Sequence, residues 1–254
     1  MKLIRGLYVP FMLLALWSLG AMTGSINHYI LPPPMDIVAT GMQLAQSGVL
    51  LKHLSISLYR VIVGFLLTFV VAFPLAVILG TKRNMNDYFD PFLAFIRHIP
   101  PIACIPILIL WFGIGEPPKI SIIILATFFP IFLNTLNGVL GCDEKLLEVG
   151  RVFGFNPREQ FCRIILPAAL PSVIIGMRLG FGYSWRALIG AELIAASSGI
   201  GYMIIDAEQI SRPDIIIVGL ITIGVCGYII DYVFLKLASW FMPWENRRVD
   251  YGGS

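Results

Sequence analysis

Charge is what this chain has least of. Only 13% of its 254 residues are Asp, Glu, Lys or Arg, against 57% hydrophobic. A soluble domain of this length needs a far more charged surface, so that class is excluded. The net charge of +3 is small and the basic residues are scattered, which leaves nucleic-acid binding without support. The cysteines, Cys104, Cys142, Cys162 and Cys226, form no CxxC pair and no Cys/His cluster. Neither a metal site nor a disulfide framework is therefore indicated, and they read as small apolar fillers. His28, His53 and His98 are scattered, with no HExxH, no Ser/His/Asp set and no paired acids, so a catalytic site is not indicated. A Walker A pattern is missing too, as are matching Gly/Pro-broken helices of the kind an inverted-repeat transporter carries.

What the chain has is long apolar runs. Several reach the roughly 20 residues that span a hydrocarbon core. The expected fold class is an all-α polytopic membrane protein of about six transmembrane helices, in a multi-pass cell (plasma or inner) membrane protein. The predicted spans are Leu7 to Thr23, Leu54 to Gly80 with a kink at Pro74, Pro91 to Gly113, Ile120 to Leu140, Ala168 to Ala196 and Asp214 to Met242. The first run lacks a small-residue cleavage site and reads as a retained helix. Residues 1–254 read as a single transmembrane domain. Within it, 1–53 form an N-terminal helix and outer segment, 54–242 the core spans with a cytoplasmic loop at 141–167, and 243–254 a cytoplasmic tail.

Sidedness follows from Lys and Arg in the short loops. Lys2, Arg5, Lys82, Arg83, Lys145, Arg151, Arg158, Arg163, Arg247 and Arg248 fall on one side. Lys52, Lys119 and Arg212 fall on the other. Both termini and the 141–167 loop are accordingly expected in the cytoplasm. A chain this small needs a second copy, or a pseudo-symmetric partner, to wall a pathway.

The loop contains a charged, Gly-punctuated island, EVGRVFGFNPREQFCRIILP, from Glu148 to Pro167. Asp143 is placed to cap a helix whose first turn carries Glu144. Leu146, Gly150 and Phe153 fall at i, i+4 and i+7, an apolar stripe with a small residue through which a partner backbone can approach. Gly154 sits where a helix end takes a left-handed residue. Asn156-Pro157-Arg158-Glu159 then reads as an N-cap, a first-position Pro and an acid three residues after the cap. Pro167 and Pro171 are expected to separate this second helix from the next span. Such an elbow either lies on the lipid surface or docks a partner protein; a short stripe flanked by both charge signs suits a protein groove better.

The spacing Glu148, Gly154 six residues on, then Ile164-x-Leu166-Pro167 resembles the EAA motif of ABC-importer permeases. The motif's two alanines are here Val149 and Gly150, both small enough to leave the docking role intact. Leu31-Pro32-Pro33-Pro34, IPPIACIPILILWFGIGEPPKI from Ile99 to Ile120, and AELIAASSGIGYMI from Ala191 to Ile204 are similar to the taurine/alkanesulfonate/nitrate subfamily. The resemblance covers most of the chain. It implies the type I importer permease (MetI-like) fold, and a permease that is not itself an enzyme and binds no cofactor. ATP and Mg would sit on two partner ATP-binding subunits, beside a second copy of the chain as a homodimer and an extracytoplasmic solute-binding protein. It also implies that Glu148, Val149, Gly150, Phe153, Gly154, Ile164, Leu166 and Pro167 form the ATPase-coupling loop.

Ionisable residues inside spans are costly and often functional. Arg60 is expected to snorkel from the outer end of its span. Arg97 and His98 precede a Pro-Pro break, where they close an inner gate or pair with a carboxylate. Asp231 is expected to satisfy a basic partner. Arg178, Arg186 and Glu192 share the fifth span, which lines the pathway in the family that the chain resembles; Trp185 adjoins Arg186. A cationic face there suits a small anionic solute, sulfonate-, taurine- or nitrate-like. The competing reading pairs Arg186 with Glu192 or Asp231 to hold the bundle. Residues 199–214, with 25–53, are expected to meet the solute-binding protein or to form a solvated loop. The alternative to an ATP-driven importer is an ion-coupled secondary transporter that uses the intramembrane Arg, Glu and Asp residues.

Overall fold

The computed structural model describes residues 2–241, which form helices joined by turns, bends and short irregular segments. Met1, Met242 at the end of the sixth predicted span, and the expected 243–254 tail with Arg247 and Arg248 lie outside the described residues. In chain order the helices are α1 (Lys2–Met22), α2 (Pro34–Gln46), α3 (Val49–Thr81), α4 (Arg83–Ile96), α5 (Ile105–Phe112) and α6 (Glu116–Leu140). They continue with α7 (Glu144–Val152), α8 (Pro157–Gln160), α9 (Leu166–Ala195), α10 (Ile200–Gln209) and α11 (Pro213–Phe241). Among the described residues, four stretches are long and apolar enough to cross a membrane: Val49–Thr81, Glu116–Leu140, Pro157–Ile194 and Pro213–Trp240. Phe11–Met22 and Pro101–Phe112 are shorter apolar helices.

The predicted third span, Pro91 to Gly113, is not one helix. It breaks after Ile96, resumes as a single tight 3₁₀ turn at Pro101–Cys104 and continues as α5. Pro100 and Pro101 explain the break: neither can donate a backbone N–H, and each pushes its predecessor out of helical geometry. The expected separation at Pro167 and Pro171 is also absent. A wider π turn, Phe161–Ile165, joins α8 to α9. Its last bond runs from the Leu166 N–H to the Phe161 carbonyl, so the helix opens ahead of Pro167 instead of stopping.

The chain forms two compact units, each discontinuous in sequence. The first comprises Met1–Leu58 and Glu192–Cys226. Its core gathers Ile37 of α2, Ile200, Met203, Ile204 and Ala207 of α10, and Val218 of α11. Residues 199–214 are thus a packed helix and its exit, not a solvated loop. Thr40 donates to Asp214 at 2.7 Å, and Arg212 donates to both oxygens of the same carboxylate at 2.9 and 2.7 Å.

The second unit comprises Tyr59–Ala191 and Gly227–Ser254. At its centre lies α6, with Ile122, Ile123, Ile131 and Phe132 fully buried. Small residues let the helices close on it. A Cβ on Gly138 would come within 2.7 Å of Ser172 and 3.0 Å of the Ala169 carbonyl oxygen. One on Gly176 would come within 3.0 Å of the Pro130 carbonyl oxygen. Phe65, Phe181 and Phe234 then tie α3, α9 and α11 together, with ring centroids 5.4, 5.5 and 6.2 Å apart. Each such pair adds roughly 0.5–1.5 kcal/mol beyond its area burial.

Arg60 does not snorkel. It is fully buried, and its guanidinium donates to Glu116 through Nε and Nη2 at 2.6 Å each. Buried Lys119 donates to the same carboxylate at 3.2 Å. The acid sits in the first turn of α6, where the helix dipole also favours it.

Candidate functional site

The Glu148–Pro167 island folds as a closed elbow within the second unit. Asp143 caps α7 by accepting from the Lys145 N–H at 2.9 Å. At the other end, Gly154 takes φ 73°, a conformation costly for any residue with a Cβ. The Phe155 N–H then bonds the Gly150 carbonyl and the Gly154 N–H the Arg151 carbonyl, both at 2.9 Å. This pair of bonds is a Schellman ending, and it reverses the chain in one residue. Asn156 and Glu159 cap the next helix reciprocally, side chain to backbone, at 2.9 and 3.0 Å.

The reversal lays α7 against the second arm. A Cβ on Gly150 would meet Ile164 Cδ1 at 2.6 Å and the Phe155 ring at 3.4 Å. The space over Gly150 is therefore taken by this chain itself, and a partner backbone does not approach there. Apolar side chains instead point outward along one flank of α7: Leu146 is 49% exposed, Val149 50%, Phe153 74% and Val152 87%. Val152 completes this flank, although the motif spacing gave no sign of it. On the opposite flank, Glu144, Leu147, Glu148 and Arg151 line a cavity of about 680 Å³, with Val77 and Thr81 of α3 and Leu140 of α6. Of the other expected loop residues, Ile164 and Leu166 are half-buried and Pro167 is exposed.

The expected pathway residues separate into three environments. Arg178, Trp185 and Arg186 line one cavity of about 250 Å³ between α9 and α11, which Asp231 also lines. There Arg178 donates to both Asp231 oxygens at 2.5 and 2.7 Å. The acid thus satisfies a basic partner, and that partner is Arg178 and not Arg186. Arg186 is exposed, donates Nε to the Gly182 carbonyl at 3.0 Å and stacks its guanidinium 4.9 Å over the Tyr183 ring. Arg97 and His98 are exposed on a second cavity that Arg186 and Tyr183 share.

Glu192 belongs to the first unit and lines neither of these cavities. It is 1% exposed and accepts from Ser57 Oγ at 2.8 Å and from the Gly201 N–H at 2.9 Å. Ser57 in turn accepts from the Ile200 N–H at 2.9 Å, and His53 Nδ1 from the Gly199 N–H at 3.0 Å. Three side chains thereby satisfy the first backbone donors of α10, which a helix start leaves unpaired. Gly199 has φ 116°, and a side chain there would collide with the Glu192 carboxylate.

Comparison with known proteins assigns the architecture. Residues 72–250 match the family of binding-protein-dependent transport system inner membrane components. The chain is 40% identical over 243 residues to the SsuC protein of Bacillus subtilis (strain 168), named for aliphatic sulfonates transport. That alignment covers 96% of this chain and 88% of the relative. The taurine transport system permease protein TauC of Escherichia coli (strain K12) is 30% identical over 240 residues, covering 92% of this chain and 87% of its own length. In fold the chain is similar to a chain of the MetNI methionine ABC transporter solved in inward-facing form. The TM-score is 0.65 at 18% identity, over 73% of this chain and 92% of that one. The chain belongs to the family of inner-membrane components of binding-protein-dependent transport systems, as a multi-pass permease subunit distinct from the ATPase.

Proposed function

We propose that this permease, as a dimer of two copies, forms the translocation pathway of an ATP-driven importer for a small anionic solute of the sulfonate, taurine or nitrate kind. Two ATP-binding subunits carry ATP and Mg and drive it, and an extracytoplasmic binding protein delivers the solute. The observation that carries the reading is the α7 elbow, whose exposed flank of Leu146, Val149, Val152 and Phe153 is rigidly capped at both ends. Burying Val152 and Phe153 in a groove is worth roughly 1.5–3 kcal/mol each.

In this account Gly154 keeps the elbow's shape and Glu148 lines the cavity between α7 and α3, while Ile164, Leu166 and Pro167 pass its motion to α9 through the π turn. Closure of the two ATPases pulls the elbow, and α9 switches the pathway between inward-facing and outward-facing states. Each partner must prefer one state for this to couple. Arg97 and Arg186 give the pathway its cationic lining, with Trp185 and the Asp231-paired Arg178 beside Arg186, and Glu192 fixes α10 at the end of the moving helix.

Both termini and the elbow face the cytoplasm. The excess of Lys and Arg in the short loops on that side supports this orientation. Proteoliposomes holding the permease and its ATPase test the reading. Uptake of a radiolabelled sulfonate should require ATP and the binding protein together; uptake driven by an ion gradient alone would contradict it.

A further inference from the structure

The start of α10 is tied down by a side chain of the kind that ordinarily changes charge between about pH 5 and 8, a histidine. The Gly199 N–H donates to His53 Nδ1 at 3.0 Å. The next two N–H groups donate to Ser57 Oγ and to the buried Glu192 carboxylate, each at 2.9 Å. Because a backbone N–H donates to it, Nδ1 carries a lone pair, and the proton of the neutral ring sits on Nε2. Protonating Nδ1 would set one donor against another, and the bond would break.

Solvent protons reach this ring more readily than its neighbours: His53 is half-buried, whereas Ser57, one turn along α3, and Glu192 are buried. From α10, Tyr202 lays its ring 5.9 Å from the imidazole, and its hydroxyl donates to Asp206 at 3.4 Å. From the end of α9 comes Glu192, whose carboxylate accepts from Ser57 and Gly201. On α3 itself, Lys52 precedes His53 and is exposed, and Arg60, two turns on, is held by Glu116. The Tyr202 ring and the Glu192 carboxylate both attract a cation, so a charged imidazole gains other partners as it gives up Gly199. The Gly199 N–H gains none from the helix, since a helix start leaves its first donors without intrahelical acceptors.

We propose that His53 is a proton-operated latch on α10. With a neutral ring the latch is closed, and Nδ1 holds the Gly199 N–H. With a protonated ring it is open. Opening releases Gly199 alone, because Ser57 and Glu192 keep their hold on Ile200 and Gly201. The helix therefore loosens at its entry and does not unfold. That entry lies four residues beyond the end of α9, so the latch sets how firmly α9 is joined to α10. The latch stands independently of the importer reading; only the choice of external pH as its trigger rests on the orientation given there.

The sequence supplies a clean reporter. Ser-Gly occurs in it at Ser47-Gly48 and Ser198-Gly199 and nowhere else. Cell-free synthesis with carbonyl-labelled serine and nitrogen-labelled glycine therefore marks the Gly48 and Gly199 amides alone for NMR. The full chain is studied in nanodiscs, which open both faces to the buffer. Sharing a preceding residue, the two amides share an intrinsic exchange rate, and Gly48, bonded to the Ala45 carbonyl at 3.1 Å, is the internal control. Between about pH 8 and pH 5 the Gly199 signal should shift along one titration while Gly48 stays still. Exchange at Gly199 relative to Gly48 should quicken on the order of 10-fold, as loss of a part-buried acceptor does. His53→Gln, whose side-chain oxygen accepts without titrating, should abolish the shift. His53→Ala should leave Gly199 fast at both pH values, with thermal unfolding of each variant confirming that its fold is kept. A flat Gly199 signal in the native chain, slow exchange in His53→Ala, or a titration that persists in His53→Gln would each overturn the proposal. The last result would make Glu192 the group that senses pH. Capture of the ATPase by the elbow, read on the same preparations, tests the importer reading separately.

Discussion

Arg60 of α3 and Glu116 of α6 form a two-pronged ion pair, 2.6 Å on both prongs, with the arginine fully buried and the acid half-exposed. The pair fixes the start of α6 against α3 inside the second unit. Lys119, also buried, leans on the same carboxylate. One acid therefore serves two buried cations, and the two ends of the pair are not equivalent.

Removing the acid should cost more than removing either base. Glu116→Ala strips the main acceptor from two buried cations, whereas Arg60→Ala leaves Glu116 with Lys119 and water. We expect Glu116→Ala to lower stability by roughly 1–3 kcal/mol more than Lys119→Ala, the half-exposure of the acid keeping the figure below that of a fully buried pair. Thermal unfolding in detergent checks this ranking; equal losses would contradict it.

Glycines in long helices should divide by what surrounds them. Gly138→Val and Gly176→Val drive a side chain into the backbone of the facing helix and should prevent α6 and α9 from packing. Gly224→Ala meets nothing within 4 Å and should be neutral or stabilising by up to ~1 kcal/mol through helix propensity. Monodisperse yield after detergent extraction reads the difference.

The cap on α10 should be local and dispensable for the second unit. Glu192→Ala removes the acceptor of the Gly201 N–H and a partner of Ser57. Losing a helix-start acceptor costs roughly 0.5–2 kcal/mol. Hydrogen exchange should quicken at Ile200 to Met203 and stay unchanged in α6; protection kept at α10 would mean that the cap is redundant.

The sequence revealed these elements unevenly, for physical reasons. Caps were legible because they are local: Asp143, Gly154 and the Asn156–Glu159 box each act within a few residues, and all took their expected geometry. Long apolar runs were legible by length, but Pro100 and Pro101 outweighed hydrophobicity in the third. Long-range partners were not legible. Nothing local distinguishes Glu116 as the acceptor for Arg60, 56 residues away, or Asp231 as the partner of Arg178, 53 residues away. Gly150 was read as open because spacing alone does not show that Ile164 folds back over it.

Cysteine labelling tests the two sides of the elbow. Burial, with the Asp143 carboxylate adding to it, pushes the Cys142 thiol up from its ordinary value, while Cys162 is exposed. Thiolate fraction and access govern alkylation, so near pH 7.5 a maleimide should label Cys162 well before Cys142. The gap should narrow as pH rises and Cys142 ionises. Equal labelling at pH 7.5 would mean that the elbow opens freely.

The most direct test of the central claim is capture of the cognate ATPase by purified permease, comparing the native elbow with Val152→Asp/Phe153→Asp. Both side chains lie on the exposed flank, so the substitutions should leave the bundle folded. Placing two carboxylates in an apolar groove should cut capture by at least about 10-fold, as loss of interface anchors does. Size-exclusion profile and thermal unfolding should match the native chain. Undiminished capture by this folded variant would show that the ATPase grips elsewhere, and the account would fail.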